Sequence, residues 1–375
     1  MRGRNTAAYI NLDNYLKNLE FIKNFTKAKL MPVLKADAYG HGNLILSKEA
    51  QNEGYDMFCV AFLEEAIELL NNNVKVPILI FNYFDPHDFI ELIDYCKYIR
   101  PTIISIDFLE KACDILGKDI KEFKFHINVD TGINRIGIKE YELDKLINLI
   151  KIKNIQIEGF YSHFANADEK DNFVNLQYNK YIALLNYIVS QNIDIKIRHI
   201  SNSAGACFFP EYSLDYVRPG VATFGLQPSK LYEIQELKPV LELKSTVVKI
   251  NIVDTQETVG YNRTFKVPTK MKTAVVPLGY ADGYSWTLSN KACVLIKGFR
   301  CKILGRISMD QIVVDVTQIP QVSIGDEVVI IGKQGNDNIS SEELAEKAGT
   351  INYEITSRIS KRIKRIYIKG GKYFD

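Results

Sequence analysis

The stretch VLKADAYGHG, residues 33–42, reads as the carboxyl end of a buried strand running into a loop built for an anion. Val33 and Leu34 continue an apolar strand, Asp37 and Gly40 end it, and Lys35 stands at the junction. A lysine amine in partly dry surroundings can shed its proton and condense with an aldehyde, so Lys35 is the candidate nucleophile, with the Tyr39 hydroxyl beside it. Taken alone, the same residues also describe a solvated lysine beside a Gly-rich turn. The rest of the chain decides between the two.

Working outward, this junction is one of eight. Short β-rich runs at 30–35, 56–61, 77–81, 98–105, 124–129, 156–161, 196–200 and 216–218 are each followed by a segment of helical period, such as 64–70 or 178–189. Eight parallel βα units predict an α/β chain whose N-terminal part closes into a (β/α)8 TIM barrel, with chemistry at the carboxyl ends of the strands. Lys35, Arg135, His163, Ser203 and Arg218 all fall at or just after such ends. Beyond Leu226-Gln227-Pro228 the pattern changes to closely spaced strands at 241–253, 272–278, 292–296, 302–307, 311–316 and 327–331, which predicts a separate, mostly-β C-terminal domain. A helix is expected over 341–348, and the basic ending from Arg358 to Arg365 reads as a solvated face.

A chain of 375 residues is long enough for two domains. Its 47 basic and 45 acidic residues are spread without blocks, which gives no electrostatic case for nucleic acid or a membrane surface. The opening MRGRNTAAYINL lacks the apolar core of a signal peptide, and no apolar run is long enough to span a membrane, so a cytoplasmic protein with a small-molecule ligand is expected. The six cysteines never form C-x-x-C and read as small core residues. The five histidines form neither H-x-x-x-H nor H-E-x-x-H, so no metal is implied.

Two further loops narrow the ligand. SNSAG at 201–205 follows the seventh barrel strand and VRPGVATFG at 217–225 follows the eighth, the places where such barrels commonly hold phosphate. Ser203 offers a hydroxyl, and Pro219 can start a short helix whose N–H groups at Gly220 and Val221 would face an anion. Either loop alone is equally a turn and a helix cap. Together with a lysine on the first strand they favour pyridoxal 5'-phosphate.

At these residues the chain resembles the alanine racemases, fold-type III enzymes that use pyridoxal phosphate. The resemblance is carried by VLKADAYGHG, DTGINRIG at 130–137, YSHFANAD at 161–168, HISNSAGA at 199–206, VRPGVATFGLQP at 217–228, TVGYNRTF at 258–265, VPLGYADGY at 276–284 and LGRISMDQIVVDV at 304–316. It implies a barrel domain over 11–228 and a β domain over 229–375, with the first strand, within 1–10, joining the latter. It also implies a homodimer with shared active sites, a small amino acid as substrate, and racemisation of L- and D-alanine to supply D-alanine for peptidoglycan.

Residue by residue, the resemblance implies that Lys35 carries the cofactor and serves as one proton-transfer base. Tyr261, from the opposite subunit, is the other base, on the far face of the Cα–H bond. His163 links that tyrosine to Arg218, which contacts the pyridine nitrogen and keeps it unprotonated, disfavouring the transamination side reaction. Arg135 lies near the cofactor phenolate and the substrate carboxylate, and Met309, from the opposite subunit like Tyr261, offers its backbone N–H to that carboxylate and helps cap the methyl pocket. Tyr39, Asn202, Ser203, Gly220, Val221 and Tyr353 surround the cofactor and its phosphate, while Tyr280, Asp310 and Tyr353 narrow the access channel. Read without the resemblance, Tyr261 is a turn aromatic after Gly260, His163 a satisfied structural histidine, and Met309 and Tyr280 packing residues.

One position departs from the pattern. Many members carry a lysine, modified as a carbamate, two residues before the DTG motif, and here that position is Asn128. A neutral amide cannot replace a carboxylate-like charge, so either Asn128 hydrogen-bonds the Arg135 guanidinium or an anion such as chloride lies there. Ile133 and Asn134 replace the more usual Met-Gly, which reads as local packing. The alternatives on the same scaffold are a racemase of a larger amino acid, serine or lysine, a fold-type III decarboxylase, or a non-catalytic pyridoxal phosphate carrier. Known carriers of this kind resemble the barrel alone.

Overall fold

A computed structural model describes residues 4–374. The first strand, β1 (Ala7–Asn11), precedes eight barrel strands: β2 (Lys29–Leu30), β3 (Phe58–Val60), β4 (Ile78–Ile80), β5 (Ile99–Ile103), β6 (Lys124–Asn128), β7 (Gln156–Tyr161), β8 (Ile197–His199) and β9 (Tyr216–Val217). From β3 to β8 neighbours pair in parallel and in order, and β2 pairs in parallel with β9. Two seams close the ring. Val33 bridges Cys59 on one side, and on the other the Asp215 and Arg218 N–H groups donate to the carbonyls of Arg198 (3.1 Å) and Ser201 (2.9 Å). The expected strand over 30–35 is regular only at Lys29–Leu30, because Pro32 has no N–H to give the ladder.

Helices cover the outside of the ring with the expected periodicity. The helix Phe173–Ser190 turns Val174, Gln177, Tyr181, Leu184, Leu185 and Ile188 inward, a single stripe at three- and four-residue spacing. Each large apolar side chain buried this way contributes roughly 1.5–3 kcal/mol. Strands β3, β4 and β5 are buried throughout, as a sheet covered on both faces must be.

The inside of the barrel has two chemical halves. Met31, Val33, Met57, Cys59, Leu79 and Tyr216 form a small apolar cluster on alternate positions of β2, β3, β4 and β9 and their flanks. Across from it, Arg100, Thr102, His126, Tyr161, His199 and Arg218 are equally buried but polar. Barrel interiors are ordinarily filled by branched aliphatic side chains, so a polar half must be hydrogen-bonded internally.

The C-terminal part is mostly β. Its main sheet runs in the order Phe299–Lys302, Cys293–Ile296, Glu327–Gln334, Leu241–Thr246, β1, Lys364–Lys369, Lys372–Phe374, with Asp337–Ile339 beside Glu327–Gln334. β1 thus joins this sheet, antiparallel to Leu241–Thr246 and parallel to Lys364–Lys369. A second sheet holds Lys249–Val253, Met271–Val276 and Ile312–Asp315. The run expected as one strand over 241–253 is therefore two, broken at Val247 and Val248, whose halves belong to different sheets. The strand expected at 302–307 is displaced to Phe299–Lys302, since Gly305 adopts a positive φ of 75°. The helix over 341–348 is present. The ending expected as a solvated face leaves Arg358, Lys361, Arg362 and Lys364 exposed as expected, but its last two residues enter the main sheet and Arg365 turns inward.

Candidate active site

Lys35 begins a turn of the wrong hand. Ala36, Asp37, Ala38 and Tyr39 all sit near φ 51–54°, ψ 36–52°, one turn of left-handed helix built from residues with side chains. Each such residue costs about 1–2 kcal/mol, so the turn exists only because its surroundings hold it. Glu65 Oε1 accepts from the Ala36 N–H at 2.6 Å, the Ala38 N–H donates to Leu34 O at 2.9 Å, and His41 Nδ1 lies 2.9 and 3.0 Å from the carbonyls of Ala38 and Tyr39. From the chain's other end, Arg365 donates from Nε (3.2 Å) and Nη2 (3.0 Å) to Gly40 O and pairs with Asp37 at 3.6 Å. A Cβ at Gly40 would lie 2.1 Å from Thr356 O, so this position tolerates only glycine.

The turn opens onto a cavity of about 1600 Å³ at the carboxyl ends of the barrel strands. Lys35, Tyr39, His163, Asn202, Ser203, Arg218, Gly220, Val221 and Tyr353 all line it. Burial, with the Arg135 charge adding to it, lowers the Lys35 pKa. Burial raises that of Tyr39, and pushes Tyr353 up to about 12, so both phenols are hydroxyl donors at neutral pH. Ser203 Oγ accepts from the N–H groups of Gly220 (2.8 Å) and Ala222 (3.3 Å), which leaves its own proton to donate. The Gly220 N–H, expected to face an anion directly, is thus taken by Ser203. Tyr39 packs so closely over Gly220 that a Cβ there would lie 2.4 Å from the phenol oxygen.

Arg218 is 2 % exposed and central to the polar half of the barrel. Its Nη2 donates to the carbonyls of Ser162 (2.7 Å) and Ile200 (3.1 Å) and faces His163 Nδ1 at 3.3 Å, while Nη1 donates to His199 Nδ1 at 2.6 Å. Tyr161 lies against its guanidinium, 4.9 Å from ring centroid to carbon. Its Nε is buried and has no partner. Burial, and then the charges of Arg218, Arg135 and Lys35, hold the His163 pKa well below 6.5, so this ring is neutral. Both ring nitrogens of His163 face donors, Nδ1 the Arg218 guanidinium and Nε2 the Asn202 amide nitrogen at 3.3 Å.

The remaining candidates gather elsewhere. Tyr261 is 70 % exposed, on a turn where Gly260, Asn262 and Arg263 have positive φ, and it does not line the cavity. The Tyr280 N–H donates to Ser308 O (3.1 Å) and the Ala281 N–H to Met309 O (3.0 Å), which holds the Tyr280 and Met309 loops together. Asp310 is paired with Arg362 at 2.7 Å. Arg135 is exposed, and among the described residues no hydrogen bond or ion pair holds its guanidinium. Asn128 is buried and donates to Ile136 O at 3.3 Å, so the expected alternative of an Asn128–Arg135 bond is not formed.

Comparison with known proteins bears on the whole chain. Residues 10–228 match the family described as "Alanine racemase, N-terminal domain" and residues 240–367 match "Alanine racemase, C-terminal domain". The chain belongs to the alanine racemase family. An alanine racemase of Clostridium tetani is 41 % identical over 374 residues, covering 97 % of this chain and 95 % of the relative. One from Methanococcus maripaludis is 38 % identical over 368 residues, covering 96 % and 98 %. Among solved structures, the alanine racemase of Bacillus anthracis with bound L-Ala-P superposes with a TM-score of 0.93 at 34 % identity, covering 100 % of this chain and 98 % of that one. That of Clostridium difficile 630 in complex with cycloserine gives 0.90 at 33 %, with the same coverage. The chain is an alanine racemase, an isomerase, with the fold that the family implies.

No motif singles out Arg100, His126 or Glu158, and His199 lies inside one without a role. All four meet behind Arg218. The one signal for Arg100 and His126 is a charged or ionisable residue flanked by apolar neighbours on an inward position of a buried strand.

Proposed function

We propose that this chain interconverts L- and D-alanine in the cytoplasm with pyridoxal 5'-phosphate at the barrel mouth, as a homodimer with shared sites, and so supplies D-alanine for peptidoglycan. The observation that carries the reading is the buried, unpartnered Nε of Arg218, a residue that lines the same cavity as Lys35. An unmet buried donor costs about 1–3 kcal/mol, and a ring nitrogen that only accepts would satisfy it. At the other end Ser203, Tyr39 and Tyr353 offer hydroxyl protons to a phosphate. When bound, pyridoxal phosphate withdraws electrons from the Cα of the amino acid it holds and makes that C–H acidic.

The chain's own residues do the proton work. Lys35, with its lowered pKa, is the base on one face. The second base is Tyr261 of a second copy, brought to the other face; a phenol is a weak base at neutral pH, and His163 assists by linking it to Arg218. Arg218 keeps its proton and leaves none on the acceptor nitrogen, which favours return of the proton to Cα over transamination. Arg135 and the Met309 backbone N–H hold the carboxylate, and Tyr280, Asp310 and Tyr353 narrow the approach. The experiment is a racemisation assay of purified protein and cofactor on a panel of single-enantiomer amino acids. Alanine is expected to be turned over fastest. Preference for serine or lysine would reassign the substrate, and absence of any racemisation would leave a carrier.

A further inference from the structure

We infer that Glu158, on the far side of the barrel from the cavity, is a positioning residue that fixes the orientation of Arg218 through two histidines. Every link has a forced direction. Arg218 Nη1 can only donate, so His199 Nδ1, at 2.6 Å, accepts, and the proton of that neutral ring is on Nε2. His199 Nε2 lies 2.9 Å from His126 Nδ1, which therefore accepts in turn and leaves the His126 proton on Nε2. His126 Nε2 faces Glu158 Oε2 at 3.5 Å. A donor-only group at one end and an acceptor-only carboxylate at the other give the chain one polarity.

The surroundings support neutral rings. Both imidazoles are fully buried, and burial is the main cause of a lowered pKa in each. Burial alone would raise the Glu158 carboxyl, but hydrogen bonds from His126 and Arg100 and the Arg100 charge hold it at about 2. Arg100 Nε donates to Glu158 Oε2, the oxygen that His126 faces, while Arg100 Nη2 (3.4 Å) and Lys124 Nζ (3.5 Å) hold Oε1, so both carboxylate oxygens are anchored.

Two irregularities of the backbone serve this chain of contacts. In the β6–β7 pair, Phe125 is opposite Ile157 and His126 opposite Gly159, which makes Glu158 the extra residue of a bulge. Bulges re-aim side chains, and this one sends a carboxylate towards the ring. A Cβ at Gly159 would lie 2.2 Å from His126 Nδ1, so glycine vacates the seat the ring occupies. If His199 adopted the other tautomer, two donors would face each other at 2.6 Å and the guanidinium would have to move, carrying the free Nε with it.

The kinetic consequence rests on the racemase reading; the tautomers do not. In 15N-histidine-labelled protein without cofactor at neutral pH, His126 and His199 are expected as neutral rings protonated on Nε2. An Nδ1–H or a doubly protonated ring at either position would overturn the relay. In cofactor-loaded enzyme, Glu158→Leu removes the acceptor and is expected to lower kcat on the order of tenfold with little change in KM, and to raise pyruvate formation relative to racemisation. Glu158→Gln still presents an amide oxygen and should stay close to wild type. A folded, cofactor-saturated Glu158→Leu with unchanged kcat and unchanged pyruvate ratio would sink the positioning role. If the wild type itself fails to racemise, the activity reading falls, and the labelled histidines still judge the relay.

Discussion

Lys35 lines the cavity at the barrel mouth, whereas Tyr261 of the same chain is 70 % exposed on the β domain and lines none of it. On the proposed two-base reading, two groups that act on one carbon are held apart within a chain, and a second copy would join them. Mixing Lys35→Ala with Tyr261→Ala chains should give dimers with one doubly defective and one intact site. Random exchange makes about half the dimers mixed, so activity should recover to roughly a quarter of wild type on closed-dimer logic. No recovery after mass spectrometry confirms exchange would place both bases on one chain.

Lys35, which lines the cavity and has a lowered pKa, is the amine proposed to hold the cofactor aldehyde. Borohydride reduction followed by peptide mass spectrometry should find the reduced cofactor on Lys35. Lys35→Ala should lose racemisation by roughly 10³-fold or more, since a general base is removed along with the covalent link. Label on a different lysine, with none here, would refute the assignment.

Replacing the donor at the unpartnered position tests the role of Arg218. Arg218→Glu should slow racemisation and raise the fraction of turnovers ending in pyruvate, because an acid beside the ring nitrogen would let it take a proton. The ratio of pyruvate to racemised product is the readout; an unchanged ratio would count against the contact.

Because position 128 is an asparagine, which has no amine, no carbamate can form there. Activity should be the same in buffer stripped of carbon dioxide. Loss of rate restored by bicarbonate would show a carbamate on another lysine.

Acid should unfold the protein in a defined window. His126, His163 and His199 have lowered pKa values, and burial takes His41 down to about 4. The unfolded chain takes up protons on these rings below about pH 6.5 and the folded chain does not, so stability is complete above that value and falls as pH drops. Each ring adds a slope of up to roughly 1.4 kcal/mol per pH unit. Glu158, held at about 2, acts in the same direction below its ordinary 4.5. A Tm that is flat above pH 7 and declines below 6.5 is expected; a Tm constant down to pH 5 would mean that the rings charge in place.

The barrel was legible because apolar runs and helical periods alternate, and the site because Lys35, His163, Ser203 and Arg218 each close a strand. What escaped the sequence was conformation that the residue types do not advertise. Ala36, Asp37, Ala38 and Tyr39 carry no glycine to announce positive φ, so the left-handed turn reads as an ordinary loop. The Glu158 bulge shifts register by one residue inside a run that alternation alone treats as regular. Charge made 358–365 look solvated, yet Arg365 satisfies the carbonyls of Gly40, Ile359, Ser360 and Ile363.

The turn after Lys35 also ties the two parts of the chain together. Its hand is wrong for its residues, and one of its clamps is Arg365, 325 positions beyond Gly40. Arg365 belongs to the strand that pairs with β1 in the main β sheet. The loop that carries the lysine is thus held by a residue of the other part of the chain, and a disturbance of that strand would reach the barrel mouth as a loosened loop rather than as a lost residue.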